Sequence, residues 1–435
     1  MSYFIGDTPV DPATDAGQAR LAYAYKARDR VQCGCRRPRP LMYIAAVNGR
    51  FIVKRMPSTG DEHAPGCASF LPPEELSGLA QVRGDAIREQ TDDGTTTLKL
   101  DFPLTLAGTR PAPPEPSGKK KTEAKAPPKK LRLTALLHYL WHEAELVKWV
   151  PAMHGKRNWG LIHRLLVNAV QGKTAKSKTL SDILYVPEPW HVDRMRDAAS
   201  RRQILFRGLK REGRRTPLGL LVAEYKIHEP ARFGARFLFK QIPDCPFFAD
   251  QELVDRFERI FSDDLRLADM EAGSHVMAIA TFSIAKKGYP VLQEIGLMLT
   301  TRNWIPFEHA REWEVIDALS TSKRAFLKSL RFNLDGETPI ASAVLTDLPE
   351  PVSLFVADPG AGPDEVADLR TTAEEGAYGS WLWLDDGPMP ALPDRSAIPP
   401  HSLRQINSRG GAGLEAEPYK PAAPSKPEVA RGNNP

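Results

Sequence analysis

Cysteine is scarce in this chain: four residues in 435, at positions 33, 35, 67 and 245. That is too few for a disulfide framework, and in a reducing compartment such residues serve as thiols or metal ligands. No apolar run approaches the ~20 residues that span a bilayer. The opening MSYFIGDTPVDPATD holds acids and prolines but no basic start and no apolar stretch. It does not read as a secretion signal, so a cytoplasmic protein without a membrane partner is expected. A phosphate loop of the GxxxxGK[ST] kind is missing; GKTAKSKT at 172–179 has only its tail and follows a helical pattern instead of a strand. HYLWH at 138–142 lacks the Glu that follows the first His of a zinc-protease motif, and Leu137, Leu140 and Trp141 make it a packed histidine pair. Cys245, alone between prolines in PDCPFF, reads as a small packed residue. No serine elbow is seen, and no catalytic residue is predicted.

What the chain does have is length, with 42% apolar and 26% charged residues, so more than one ordinary core is expected. The reading is an α+β multidomain protein. Residues 1–106 form a zinc-stapled, β-rich N-terminal domain around a β-hairpin. LMYIAAV at 41–47, then Asn48-Gly49, then RFIVKRM at 50–56 is the hairpin signal, since Asn-Gly supplies the positive φ values of a tight turn. TTTLKLDFPLTL at 95–106 alternates like a strand. Residues 107–131 are a disordered basic linker rich in Pro and Lys. A helical region covers 132–200: LTALLHYLWHEAELVKW and WGLIHRLLVNAV both place apolar residues at helical spacing. An α/β core follows over 201–392. In it LGLLVAEYKI, HVMAIATFSIA, ASAVLTD and VSLFVAD read as strands, and LVDRFERIFSDDLRLADM and TSKRAFLKSLRF as helices. The Pro-, Gly- and Ser-rich stretch 393–435 is a disordered tail.

Cys33-x-Cys35 and His63-x3-Cys67 form two ligand pairs separated by 27 residues, and the hairpin between them brings its own ends together. Two pairs of thiolate and imidazole ligands from the ends of a short element can close a tetrahedron with no open position, which is the design of structural Zn2+ sites. Cys33, Cys35, His63 and Cys67 are therefore the predicted metal ligands; the plainer alternative is three small buried thiols and an incidental histidine. The arrangement CGC…RFIVKRMPSTGDEHAPGC resembles a bacterial family of unknown function defined by three N-terminal cysteines and found on plasmids and integrative mobile elements. Cys33, Cys35 and Cys67 match those three. LLHYLWHEAELVKWVPAMHGKRNW at 136–159 is similar to the family's middle part, and the resemblance covers about residues 25–390. It implies a bacterial mobile-element setting and carries no activity.

Positive charge is concentrated in two places. Residues 118–132 hold seven basic residues against one acid, and residues 194–215 hold nine against two, while the whole chain is only +5. Such asymmetry suits an acidic partner, nucleic acid first. Arg201, Arg202, Arg207, Lys210, Arg211, Arg214 and Arg215 are the predicted phosphate contacts, with the alternative of a solvated face paired to the acidic run at 250–271. Trp149, Arg157 and Trp159 could supply a stacking face beside a basic patch, although aromatics at this spacing are more often core. A nuclease-like metal site is also tested by the C-terminal strands: Asp347 ends one, but SLFVA in the next has neither acid nor lysine, and Glu224-x-Lys226 lacks a matching upstream Asp. The expectation is a non-enzymatic, zinc-containing, nucleic-acid-binding accessory protein. Metal-dependent nuclease, intact or degenerate, and protein–protein scaffold are the alternatives.

Overall fold

A computed structural model describes residues 2–47, 49–107, 130–209 and 215–395, all within one compact unit. Residues 108–129 of the expected linker, 210–214 and 396–435 of the expected tail lie outside the described residues, as does Asn48 of the hairpin turn.

The hairpin joins strands Leu41–Val47 and Arg50–Arg55 in antiparallel register, Val47 opposite Arg50, with Gly49 at φ +75°. Three short strands extend it to a five-stranded sheet in the order Thr8–Val10, Tyr3–Ile5, Val31–Cys33, Leu41–Val47, Arg50–Arg55. Helix Asp15–Ala27 crosses it, its first turn capped by the Thr14 hydroxyl accepting from the Gly17 amide.

Helix Leu133–Glu143 is apolar on nearly every side. Leu133, Ala135, Leu136, Leu137, Tyr139, Leu140 and Trp141 are all buried, as befits a central helix surrounded by other elements. It sits in one continuous apolar cluster with Val10 and Leu21 of the N-terminal part, Ile162 and Leu166 of helix Trp159–Ala169, Ile279 of a later strand and Phe332.

Long strands Gly219–Ala231, His275–Ile284 and Pro290–Thr300 belong to a mixed sheet whose pairings run in a ring, because Gly219–Ala231 pairs with both Gly234–Phe239 and His275–Ile284. Phe237, Phe239, Phe247 and Phe282 fill its core, covered by helix Gln251–Met270 through Leu253, Val254 and Phe257. Last comes helix Ala310–Thr321 and a meander of Phe326–Lys328, Ala343–Leu345 and Val352–Val356. Helix Pro363–Glu375 then crosses over to Gly379–Trp383, parallel to the third meander strand. The reading of TSKRAFLKSLRF as a helix is corrected here: the helix ends at Thr321 and Phe326–Lys328 is a strand, its three residues all buried between neighbours Lys148–Trp149 and Ala343–Leu345. Burial on both faces overrides the helical propensity of Lys, Ala and Leu.

Candidate metal centre

Four chemically matched side chains meet at one end of the N-terminal sheet, where its central strand stops. Cys33 ends its strand opposite Tyr3, and its amide donates to the Pro40 carbonyl at 2.8 Å. Gly34 packs too closely on the neighbouring strand for a side chain: a Cβ there would lie 2.6 Å from the Phe4 ring and from the Ser2 hydroxyl. On the other side, residues 60–71 form successive turns in which the Cys67 amide donates to Ala64 and the Phe70 amide to Cys67.

The ligand atoms of Cys33, Cys35, His63 and Cys67 all lie within 4.8 Å of one another, so the group can hold a metal ion. Cys33 Sγ and Cys67 Sγ are 3.7 Å apart; His63 Nδ1 is 3.4 Å from Cys35 Sγ and 3.7 Å from Cys67 Sγ. A tetrahedral Zn2+ with Zn–S of about 2.3 Å and Zn–N of about 2.0–2.1 Å has edges of about 3.8 Å between sulfurs and about 3.5 Å between sulfur and nitrogen. The observed spacings fit those edges. Two backbone amides reach the sulfurs from outside, Ala64 to Cys35 Sγ at 3.5 Å and Ser69 to Cys67 Sγ at 3.4 Å, the supporting bonds that orient thiolate ligands.

Burial, with the neighbouring Cys35 and Cys67 thiols adding to it, pushes the Cys33 thiol up to about 12, so without a cation this cluster resists gathering thiolate charge. Burial, helped by Arg55 and Arg36, holds His63 down at about 4, leaving a neutral imidazole with a lone pair to give. His63 is 1% exposed and its Nε2 has no hydrogen-bond partner among the described residues.

A family described as Protein of unknown function (DUF1173) matches residues 3–386. The chain belongs to that family. No curated protein and no solved structure matches it.

The predicted phosphate contacts scatter. Arg201 is exposed but its guanidinium grips both carboxylate oxygens of Glu188 at 2.6 Å. Arg202 is 7% exposed and donates to Asp244 at 2.6 and 3.4 Å, so its assignment as a phosphate contact is corrected: its guanidinium is buried and already committed to an ion pair. Arg207 lies exposed on helix Met195–Gly208, and Arg215 is exposed at the start of strand Arg215–Pro217. Lys210, Arg211 and Arg214 lie outside the described residues. Phe206 is buried among Tyr185, Phe247 and Phe282. The suggested stacking face is core. Trp149 is fully buried, Arg157 donates to the Leu146 carbonyl at 2.9 Å, and the Trp159 indole donates to Pro187 at 2.8 Å.

Asp347 is held by Arg324 at 2.8 and 2.9 Å and by the Ala325 amide at 3.1 Å, in the apolar surroundings of the last sheet. Glu224, 4% exposed, takes Lys240 at 2.6 Å, His275 at 2.8 Å and Gln241 at 3.1 Å. Each carboxylate is thus satisfied by its own partners. Among the described residues the group of three cysteines and His63 alone brings three or more ligand side chains together.

Sequence reading missed the ion pair of Lys173 and Glu143, because its two ends are 30 residues apart and no local pattern ties them. It found His138 and His142 as packed histidines. His138 Nδ1 accepts the Phe332 amide at 3.0 Å. Burial holds both imidazoles at about 4, outweighing Glu308 near His138 and Glu143 near His142, while Lys328 and Arg331, or Arg55, Arg83 and Lys173, push the same way as burial. The unfolded chain, with histidines near 6.5, therefore binds more protons than the native one between pH 6.5 and 4. Stability is unpenalised above pH 6.5 and falls as pH drops, by about 1.4 kcal/mol per pH unit for each histidine. Denaturant unfolding at pH 7 and pH 5 checks this; equal or greater stability at pH 5 would contradict it.

Proposed function

We propose that this chain is a non-enzymatic, zinc-containing accessory protein that binds nucleic acid, in which Cys33, Cys35, His63 and Cys67 hold one structural Zn2+. The observation that carries the metal part is the convergence of the four ligand atoms within 4.8 Å of one another, with three of their separations at the edges of a zinc tetrahedron. All four positions are filled by protein, so the ion would fold a loop and leave no site for substrate. The three cysteines, matched to those that define the family resembled in sequence, support a bacterial plasmid or integrative-element setting and a cytoplasmic location.

For nucleic acid, the supporting feature is a face of helix Met195–Gly208. Arg196 and Arg207 are both exposed, eleven residues apart, about three turns and therefore on one side, with exposed Arg194 before them and Arg215 after. Sequence places Lys210, Arg211 and Arg214 in the same stretch. Replacing Arg196, Arg207 and Arg215 by Ala should weaken duplex binding about equally for all sequences, and flatten the slope of log K against log salt by roughly one unit per lost phosphate contact. Arg202→Ala should instead loosen the fold by uncovering Asp244. Absence of binding by the unaltered protein at low salt, or an unchanged slope in the triple variant, overturns the reading and brings the scaffold alternative forward.

A second reading, a nuclease-like core without a working metal site, is favoured by one observation: a helix, a three-strand antiparallel meander, a helix and a parallel fourth strand follow one another from Ala310 to Trp383. Asp347 clamped by Arg324, and a following strand of Val, Ser, Leu, Phe and Val, speak against activity. Mg2+-dependent cleavage abolished by Asp347→Ala is the result that would put this reading first.

A further inference from the structure

Beside the metal centre lies a cavity of ≈ 230 Å³, bounded by the outer hairpin strand, residues 68–71 and the end of the central helix. Its polar lining is unevenly satisfied. Glu143 is taken by Lys173 at 2.6 Å, and Glu89 by Arg83 at 3.5 Å. The cations facing them are not so engaged. Lys54 is half-buried and has no hydrogen bond or ion pair among the described residues, although it feels Glu143 and Glu89 at longer range. Arg55 donates from Nη1 to the Ser69 carbonyl at 3.1 Å, but its Nε is buried with no partner. Unmade donors in a buried place are costly, and each in a native structure calls for a reason.

Two further features converge on the cavity. Glu145, also on its wall, is exposed and takes φ +55° as the residue that closes the central helix, its amide donating to the His142 carbonyl and the Leu146 amide to the Trp141 carbonyl, both at 3.0 Å. The loop of the metal centre also forms part of the wall. The Ser69 amide donates to Cys67 Sγ while the Ser69 carbonyl receives Arg55, and the Ala68 carbonyl receives Lys148 at 3.1 Å. One residue thus ties the position of Arg55 to a metal-ligand sulfur.

We propose that this cavity binds the phosphate or carboxylate group of a small molecule, held by Lys54 and Arg55, with Glu145 meeting a donor elsewhere on the same ligand. Guanidinium and ammonium together suit an oxyanion, the first by its planar fork and the second as a point charge. The cavity's size limits the ligand to a small metabolite. The site is independent of nucleic-acid binding; its link to the metal proposal is only that the Cys67 loop sets Arg55.

Thermal unfolding of the full chain, with its metal content measured first, tests this with inorganic phosphate, with acetate, and with sodium chloride at matched ionic strength. Phosphate, acetate or both should raise the melting temperature by a few degrees in a saturable way, and chloride should not; which of the two works tells phosphate from carboxylate. Lys54→Met should abolish the rise. It should also leave the melting temperature without ligand unchanged or higher, because it removes an unpaired half-buried ammonium. If that variant does not fold, Arg55→Lys, which keeps the charge but loses the Nε donor, should weaken the saturating effect at least tenfold. No stabilisation of the unaltered protein by either anion overturns the proposal, as does an equal rise in the variants. Absent zinc together with a normal anion effect would sink the metal reading alone.

Discussion

Protein carrying Cys67→Ser should retain no zinc after brief exposure to a chelator that leaves the unaltered protein loaded, and residues 60–71 should become open to protease. The size of the effect follows from where the ion sits. Apart from the thiol and imidazole contacts themselves, the turns that build this loop are held by a handful of backbone hydrogen bonds, such as Cys67 to Ala64 and Leu71 to Gly60, and by Arg55 and Lys148 donating to the Ser69 and Ala68 carbonyls. Apparent binding energies of structural zinc run to about 10–16 kcal/mol in small domains, and that energy is folding energy. Because Ser69 passes the position of Cys67 on to Arg55, the loss should reach the neighbouring cavity as well. Amide exchange over residues 55–71 is the measurement. Protection identical in variant and parent would mean that the loop is held by packing alone.

Lys173→Met should cost about 3–5 kcal/mol, because it leaves the Glu143 carboxylate charged beside the core without its direct partner. Lys173 is 1% exposed, with Nζ 2.6 Å from Glu143 Oε2 and 5.3 Å from the centre of the Tyr139 ring. Burial alone would raise the Glu143 carboxyl; the Lys173 ammonium outweighs it and holds the group at about 2. The pair's contribution is therefore present above the ordinary carboxylate range, about pH 4.5, and is lost as pH falls toward 2. The variant should show the reverse trend, its penalty shrinking as Glu143 picks up a proton. Changing both partners, Lys173→Met with Glu143→Leu, should recover much of the loss. Chemical denaturation of the three proteins at pH 7 decides it, and a single-variant loss below about 1 kcal/mol, typical of a surface pair, would contradict it.

The parts of this fold that could be read from sequence are those whose cause is local. The hairpin announced itself through Asn48-Gly49 between β-branched runs, and the central helix through apolar residues at helical spacing from Leu133 to Trp141. The cluster of Cys33, Cys35, His63 and Cys67 was legible because its ligands come in two close pairs at the ends of one hairpin. What escaped was decided by distant partners. Phe326–Lys328 reads as helix in isolation and is a strand because Trp149 and Leu345 flank it. Arg202 looks like its exposed neighbours, and only Asp244, 42 residues on, makes it a buried ion pair. The cavity at Lys54 and Arg55 draws its wall from the hairpin, the metal loop and the helix end, three segments that no spacing rule connects.

The central claim is that one Zn2+ sits among Cys33, Cys35, His63 and Cys67. Elemental analysis of protein prepared in reducing buffer, followed by exchange to Co2+ and an absorption spectrum, tests it most directly. The account predicts about one zinc per chain and a cobalt form with the intense d–d and sulfur-to-metal charge-transfer bands of a tetrahedral site made of three thiolates and one imidazole, both lost in Cys67→Ser. Protein free of zinc as prepared, or a cobalt spectrum of a six-coordinate oxygen site, would contradict it.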